Sequence, residues 1–214
     1  DVTVLGVVSG PDDRTVVVVT SPLSTGVTYT LTVNGVRNAA GVAVVPDRQA
    51  SFTYDVVEGT GTILREYWTG IPGTYVSDLT GSASYPSNPT GMTWETSLEA
   101  PTDWGDDYGT RMRGYLLPPA TGQYRFWIAA NARAELWLST DDNPANRQKI
   151  AWAPDYTSQY QWDKYASQQS MPIELEAGSR YYIEVLHKEG GGSDHMAVRW
   201  LLSDGFTYET PVPG

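Results

Sequence analysis

Two adjacent carboxylates stand at Asp141 and Asp142, in the stretch STDDNPAN. Carboxylates are ligands that Ca²⁺, a hard cation of high coordination number, prefers. The same residues also suit an ordinary turn, because Asp and Asn side chains hydrogen-bond nearby backbone amides. The stretch therefore indicates either turn chemistry or a structural calcium ion, and calcium is the one cofactor that the sequence suggests.

A second acidic cluster lies in the stretch EAPTDWGDDYGTRMRGY. Carboxylates can hydrogen-bond the hydroxyls of a sugar while an aromatic ring covers its apolar face. Trp104, Asp106 and Asp107 are therefore candidate carbohydrate-binding residues. The alternative is a long turn whose acids cap the next strand, with Arg111 and Arg113 as their partners.

The stretch AWAPDYTSQYQWDKYASQQS combines aromatic and amide side chains. A long connection of this composition suits polysaccharide recognition, because loops on a rigid β scaffold commonly carry binding groups. Tyr156, Tyr160 and Trp162 are the candidate platform. The alternative is that these rings pack into the core or its rim.

Catalytic residues are hard to assemble from this sequence. It contains no Cys and two His, His187 and His195, and neither has a Ser or Asp at a spacing typical of nucleophilic catalysis. The absence of Cys also excludes disulfides and thiolate metal sites. We expect a protein without enzymatic activity of its own.

The elements that must position these residues are strands. Val, Thr, Trp and Tyr are frequent and are separated by Gly and Pro, which predicts an all-β protein. Turn residues at 118–122 and 177–178 predict two β-hairpins, one within YLLPPATGQYRFWIA and one within MPIELEAGSRYYIEVLHK.

Two successive strands show clear alternation, with apolar faces at Tyr124, Phe126, Ile128, Leu136 and Leu138. If these strands form a hairpin closed by residues 130–134, pairing Ile128 with Leu136 sets Trp127 opposite Trp137. A one-residue slip would turn every apolar side chain to the wrong face. We therefore predict a Trp127–Trp137 pair on the face away from the core.

Charge and hydropathy exclude several partners. The formal net charge is -11, whereas nucleic-acid binding requires clustered cations. No apolar run is long enough to cross a bilayer. Neither nucleic acid nor membrane insertion is expected, and a chain that begins at Asp1 without Met is expected to be a processed or an excised piece of a protein.

Composition changes near Glu58 and Gly59, since no Trp or Lys precedes this point and all eight Trp follow it. We predict a β segment over residues 1–58, with four strands, and a larger β domain over 59–214. The stretch SPLSTGVTYTLTVNGVRNAAG resembles the second half of the immunoglobulin-like modules of bacterial surface proteins. That resemblance implies a partial spacer in an extracellular protein.

The later sequence resembles the lectin-like β-sandwich or barrel domain named after the fourteen-kilodalton portion of anthrax protective antigen. The resemblance lies in GTILREYWTGIPG, YGTRMRGYLLPPATGQYRFWIAA, AELWLSTDDNPANRQKIAW and LEAGSRYYIEVLHKEGGGSDHMAVRW. Yeast flocculins and many bacterial glycosidases share this noncatalytic domain, which implies carbohydrate binding.

In sugar-binding members of this family, two adjacent Asp hold Ca²⁺ at the positions of Asn131 and Ala132, which Arg133 follows here. Ala cannot ligate, and an adjacent cation repels a metal ion. The resemblance also implies a second ligand loop, here HKEGGGSDHMAVRW, in which Asp194 is the candidate for metal and sugar. The alternative there is a flexible hairpin end with solvated charges.

These features predict a noncatalytic carbohydrate-binding or adhesive module of a larger secreted bacterial protein, located outside the cell or on its surface. Its partners would be a polysaccharide or glycan and the neighbouring domains of the parent polypeptide. The alternative is a structural or protein-interaction module that has lost calcium-dependent sugar binding, which Asn131 and Ala132 favour.

Overall fold

A computed structural model describes residues 2–9, 16–21, 23, 27–35, 37, 41–42, 48–54 and 61–214. The chain divides into two compact units, Asp1–Val57 and Glu58–Gly214. Strands dominate the described part of both units, so the prediction of an all-β protein is confirmed. Among these residues, no helix has the length and apolar composition that spanning a membrane requires.

The described part of the first unit contains two antiparallel strand pairs. β1 (Val4–Ser9) pairs with β2 (Val16–Thr20), and β3 (Val27–Val33) pairs with β4 (Arg48–Tyr54). The four expected strands are present. Residues 38–40 of the immunoglobulin-like stretch lie outside the described residues, and the identity of the unit as a partial immunoglobulin-like spacer stays a prediction.

The second unit contains one short helix, α1 (Val76–Thr80), and a series of strands. The strands are β5 (Ile63–Thr69), β6 (Gly91–Glu95), β7 (Glu99–Ala100), β8 (Tyr108–Leu116), β9 (Gly122–Asn131), β10 (Arg133–Ser139), β11 (Arg147–Ala153), β12 (Ile173–Leu175), β13 (Tyr181–Glu189), β14 (His195–Leu201) and β15 (Tyr208–Glu209). Two 3-10 turns, Pro144–Asn146 and Ala166–Gln168, complete the unit.

These strands form two antiparallel sheets. The six-stranded sheet has the order β11-β10-β13-β8-β5-β6, and the five-stranded sheet has the order β12-β9-β14-β15 with β7 also on β14. Their facing side chains make one core, to which both sheets contribute fully buried residues. The unit is thus a two-layer β-sandwich, as the resemblance implies.

The predicted alternation is confirmed on both strands where it was clearest. Tyr124, Phe126 and Ile128 are fully buried on β9, and Leu136 and Leu138 are buried on β10. Both sets belong to the same core cluster. The period of two residues therefore identified the inward face of each strand correctly.

The predicted hairpin between these two strands is wrong. β9 pairs with β12 and β14, whereas β10 pairs with β11 and β13, so the two strands lie in different sheets. Trp127 lies opposite Arg199, and Trp137 lies opposite Lys149 and Glu184. The predicted Trp127–Trp137 pair does not form, because the two apolar faces are buried against each other across the sandwich instead of side by side.

The other two predicted hairpins are wrong for the same reason. β8 and β13 belong to the six-stranded sheet, whereas β9 and β12 belong to the five-stranded sheet. The predicted turn at Gly178 exists, since the Ser179 amide donates to the Glu176 carbonyl and Gly178 has a φ of 81°. Turn residues mark where the chain reverses, but they do not determine which sheet the next strand joins.

Several connections meet at one end of the sandwich. β8, β10 and β14 begin there, and β5, β9, β11 and β13 end there, as their registers require. The segments at this end are 70–75, 101–107, 130–133, 154–165 and 190–194, and we call them the loop rim. Most of the residues that the sequence singled out lie in this rim.

Leu136 offers a test of the sandwich core, because its side chain is fully buried between the sheets. We expect Leu136→Ala to lower the free energy of unfolding by about 3 kcal/mol, since it leaves a cavity. Gln148→Ala, an exposed substitution on neighbouring β11, should change it by less than about 0.5 kcal/mol. Urea denaturation measures both, and equal effects would contradict the assigned core.

Candidate functional site

Asp194 ties two segments of the loop rim together. Its side chain is buried, and its Oδ2 accepts hydrogen bonds from the amides of Trp104 at 2.8 Å and Gly105 at 2.9 Å. Its carbonyl accepts a further bond from the Asp103 amide at 2.9 Å. The alternative of a flexible hairpin end with solvated charges is therefore wrong, since Asp194 and Glu189 are buried and β13 and β14 lie in different sheets.

The predicted cluster around Trp104 assembles above Asp194. The Trp104 ring packs edge-on against Tyr67 and Tyr108, with centroids 4.8 and 4.7 Å away, and the Arg65 guanidinium lies 4.5 Å from its centroid. The exposed Asp106 accepts a hydrogen bond from the Gly192 amide at 3.0 Å. The aromatic and acidic groups predicted from the sequence thus lie close together.

Asp107 is exposed and shapes the same segment through its backbone. Its carbonyl accepts a hydrogen bond from Ile71 at 2.7 Å, and its amide donates to the Gly190 carbonyl at 3.2 Å. Residue 190 also passes close to Thr74. A Cβ at this position would lie 2.6 Å from the Thr74 side chain, which explains why the residue is a glycine. The predicted acid partners of Arg111 and Arg113 are wrong, since both arginines pair with Glu66 at 2.8 Å.

Titratable groups are buried beneath the rim, and burial shifts their pKa values. Burial lowers the pKa of His187 to about 4 and lowers the pKa of His195. Burial raises the pKa of Glu189, although the amides of Gly191 and Gly190 oppose that shift. His187 is consequently neutral at pH 7.

The tautomer of His187 follows from its hydrogen bond. Its Nε2 lies 2.7 Å from the carbonyl oxygen of Asn131, which can only accept, so Nε2 carries the proton. The Nδ1 atom is buried and has no hydrogen-bond partner among the described residues. His187 therefore anchors the segment 130–133 and does not reach solvent.

Two cations also hold the rim, and both bind backbone carbonyls. Arg133 donates to the Pro154 carbonyl at 2.8 Å and to the carbonyl and hydroxyl of Thr74, while its guanidinium lies 4.1 Å from the centroid of Tyr75. The buried Lys188 donates to the Gly73 carbonyl at 2.7 Å. Segments 70–75, 130–133 and 154–165 are thus joined by side-chain cations.

Asp141 and Asp142 lie at the opposite end of the sandwich from Asp194. The Asp141 carbonyl accepts from the amide of Tyr182 at the start of β13, whereas Asp194 follows the end of that strand. Seven residues of strand separate those ends, roughly 24 Å at about 3.4 Å per residue. The three predicted metal ligands are therefore not brought together.

The donor groups at these positions do not fit calcium. Asp141 accepts from the Asn143 amide at 2.9 Å and the Asn146 side chain at 2.7 Å, and Asp142 pairs with Arg180 at 3.0 Å. At the position where sugar-binding members of the family carry the second of the two aspartates, Ala132 has no oxygen in its side chain. Among the described residues, no three His, Asp or Glu side chains are placed to hold a metal ion.

The aromatic stretch is anchored along one edge of β9. The Thr157 amide donates to the Ala130 carbonyl at 2.8 Å, the Gln168 side chain donates to Ile128 at 2.8 Å, and the Ser170 amide donates to Phe126 at 2.9 Å. These bonds cover alternate carbonyls of the strand. The segment between Thr157 and Gln168 is consequently held at both ends.

This anchoring leaves aromatic rings at the surface. Tyr156 and Tyr160 are 57% and 42% exposed. The ammonium of Lys164 lies 3.4 Å from the centroid of Tyr156, and the Tyr160 hydroxyl donates to Glu99 at 2.5 Å. Trp162 stacks beside Tyr160, with centroids 6.0 Å apart. Tyr156 and Tyr160 are therefore surface residues, whereas Trp162 is partly buried and packs against Arg199, and the platform stays a prediction.

Sequence reasoning missed the roles of Arg133, Lys188 and Arg199. Arg133 was considered only as a charge that repels a metal ion, and no signal in the sequence distinguishes Lys188 from a solvated lysine. Arg199 could have been identified from the sequence, because it is a polar residue between two apolar core residues, Val198 and Trp200, on a strand that alternates with a period of two. That position places it on the outer face of the five-stranded sheet.

The pKa of His187 makes stability depend on pH. Its folded pKa, about 4, lies below its ordinary value of 6.5, so the unfolded chain binds more protons as the pH falls through this range. We expect His187 to remove about 2 kcal/mol of stability between pH 7 and pH 5. Denaturant titrations of wild type and His187→Gln should show a smaller pH dependence in the variant, and identical dependence would exclude this role.

The comparisons with known proteins agree with the fold and the order of the motifs. Residues 64–212 match the PA14 domain family. Mouse N-acetyl-beta-glucosaminyl-glycoprotein 4-beta-N-acetylgalactosaminyltransferase 1 is 35% identical over 133 residues, which are 60% of this chain and 13% of that protein. Dog fibrocystin is 31% identical over 90 residues, which are 39% of this chain and 2% of that protein. The chain thus spans a small part of these relatives.

Two solved structures show the same fold. The PA14 domain of the MpAFP antifreeze protein has a TM-score of 0.53 at 13% identity, covering 71% of this chain and 87% of that one. The PA14 sugar-binding domain from an RTX adhesin has a TM-score of 0.52 at 13% identity, covering 72% and 98%. Since the family match also covers more than half of the sequence, this chain belongs to the PA14 domain family.

Proposed function

We propose that residues 59–214 form a noncatalytic carbohydrate-binding module of a larger extracellular protein. The observation that carries the proposal is the exposed, fixed ring of Tyr160 beside Trp162. The proposed partners are a polysaccharide or glycan and the neighbouring domains of the parent polypeptide. The bacterial origin of that parent stays a prediction.

The Tyr160 ring is held in place before any ligand arrives. Its hydroxyl is bonded to Glu99, and its backbone adopts a φ of 56°, which few residues other than Gly adopt. A ring that is already fixed loses little conformational entropy when a ligand stacks on it. Aromatic rings cover the apolar face of a sugar without any metal ion. This geometry supports stacking as the mode of binding.

The rim supplies the polar groups that such a site needs. Asp106 and Asp107 are exposed next to Trp104, and Asp194 fixes their segment from below. Exposed carboxylates accept hydrogen bonds from sugar hydroxyls. We therefore include Trp104, Asp106, Asp107, Tyr156, Tyr160 and Trp162 in the proposed binding surface, with Asp194 as its support.

The names of related proteins support a carbohydrate partner. The RTX adhesin domain is described as sugar-binding, and the mouse relative is named as a glycosyltransferase. The matched region is a small part of that enzyme, so its name does not assign catalysis to this chain. Both histidines of the chain are buried, and it contains no Cys, which supports a noncatalytic role.

Alanine substitution tests the platform. We expect Tyr160→Ala and Trp162→Ala each to weaken retention on the best-bound glycan by roughly tenfold, because each removes a stacking ring. Tyr115→Ala is the matched control, since Tyr115 is an exposed ring at the other end of the sandwich. Affinity electrophoresis of the full chain measures all three, and unchanged retention in both platform variants would refute the platform.

A structural or protein-interaction module is the second candidate function. The observation that favours it is the closure of the rim by Arg133, which bonds to Thr74 and Pro154. A glycan array with Ca²⁺ and with chelator separates the two. We expect binding that chelator does not change, because the donor groups do not fit calcium. Loss of binding with chelator would contradict stacking without metal, and no binding at all would favour the structural role.

A further inference from the structure

An arginine is enclosed by aromatic rings on the outer face of the five-stranded sheet. The guanidinium of Arg199 lies 4.8 Å from the centroid of Trp127 and 4.9 Å from the centroids of both Trp162 and Tyr208. Trp127 is the residue opposite Arg199 in the strand pairing. The rings hold the planar group in one orientation on this face.

Arg199 has no carboxylate partner among the described residues. It forms none of the ion pairs within 4.0 Å there, and its Nε is buried without a hydrogen-bond partner. Burial lowers its pKa, and Tyr208 and Asp163 act against that shift without forming an ion pair. A guanidinium remains charged in proteins, so this part of the surface carries an unneutralised positive charge.

A second arginine lies on the same face. Arg125 is partly exposed and is opposite Leu201, which makes it the diagonal neighbour of Arg199, roughly 7–8 Å away. Within the described part of the chain, Arg125 forms no ion pair. We call Arg125, Trp127, Trp162, Arg199 and Tyr208 the outer-face patch.

We propose that the outer-face patch binds a glycan whose sugar units carry carboxylate groups. This inference rests on the proposed function, because Trp162 belongs both to the proposed binding surface and to the outer-face patch. It specifies the class of carbohydrate that this surface binds. The planar fork of an arginine donates two parallel hydrogen bonds to a carboxylate. The exposed rings of Tyr160 and Tyr208 lie beside it and can stack on the sugar.

Charge distinguishes this ligand from other anions. The formal net charge of -11 repels extended polyanions, so a bound acidic ligand must be recognised locally. Glu99 and Glu209 accept hydrogen bonds from Tyr160 and from the Trp200 indole at 2.5 Å, and Asp163 forms no ion pair with Arg199, so a carboxylate can reach the guanidinium without displacing one of these acids. An uncharged version of the same sugar should therefore bind less tightly than the acid.

The test compares trigalacturonate, a short acidic oligosaccharide, with its methyl ester, which keeps the sugar rings and removes the charges. At low salt we expect the intact chain to bind the acid roughly tenfold more tightly than the ester, and the ratio should fall as salt screens the arginines. Arg199→Gln and Arg125→Gln should each bring the ratio towards one. Arg180→Gln, an exposed arginine paired with Asp142, should keep it.

The outcomes separate this inference from the proposed function. A ratio of one or less in the wild type overturns the acidic site, while binding of the ester still supports a carbohydrate-binding module. A ratio that both patch variants leave unchanged also overturns the assignment to these arginines. Failure to bind any glycan on an array would overturn the proposed function together with this inference. Thermal unfolding of each variant verifies that it is folded.

Discussion

The second unit depends on one constraint, which is that the alternating apolar faces of its strands are buried only when two sheets lie against each other. Ile128 on the five-stranded sheet and Leu136 on the six-stranded sheet are both fully buried in one core. The chain therefore passes from one sheet to the other between β9 and β10, and again between β8 and β9. Because these crossings replace simple hairpins, loops that are distant in sequence meet at one end.

Fixed charges stabilise that end of the sandwich. Asp194 accepts two backbone amides, while Arg133 and Lys188 donate to backbone carbonyls of neighbouring segments. Each of these charges is thus bonded to backbone groups of neighbouring segments, and burying a charge or a peptide group requires such partners. Loop carbonyls are the groups that a bound cation could also organise, and here the side chains of Arg133 and Lys188 organise them.

The two faces of the five-stranded sheet have different roles. Its inner face supplies the core, and its outer face carries arginines and aromatic rings that the core does not need. The small residues Ala129 and Ala197 lie on that outer face and are buried, which leaves room for the aromatic segment above them. The proposed binding surface therefore consists of side chains that the sandwich does not use in its core.

The sequence by itself determined the strand class, the inward faces, the family motifs and the aromatic stretch, because periodicity and turn chemistry are local properties. It also placed Trp104 and Asp106 in one cluster. Only the tertiary structure decided the strand partners, which separated Trp127 from Trp137, and the distance between Asp141 and Asp194. Pairing depends on contacts between residues far apart in the chain, and a side chain such as Lys188 becomes buried only when other segments close over it.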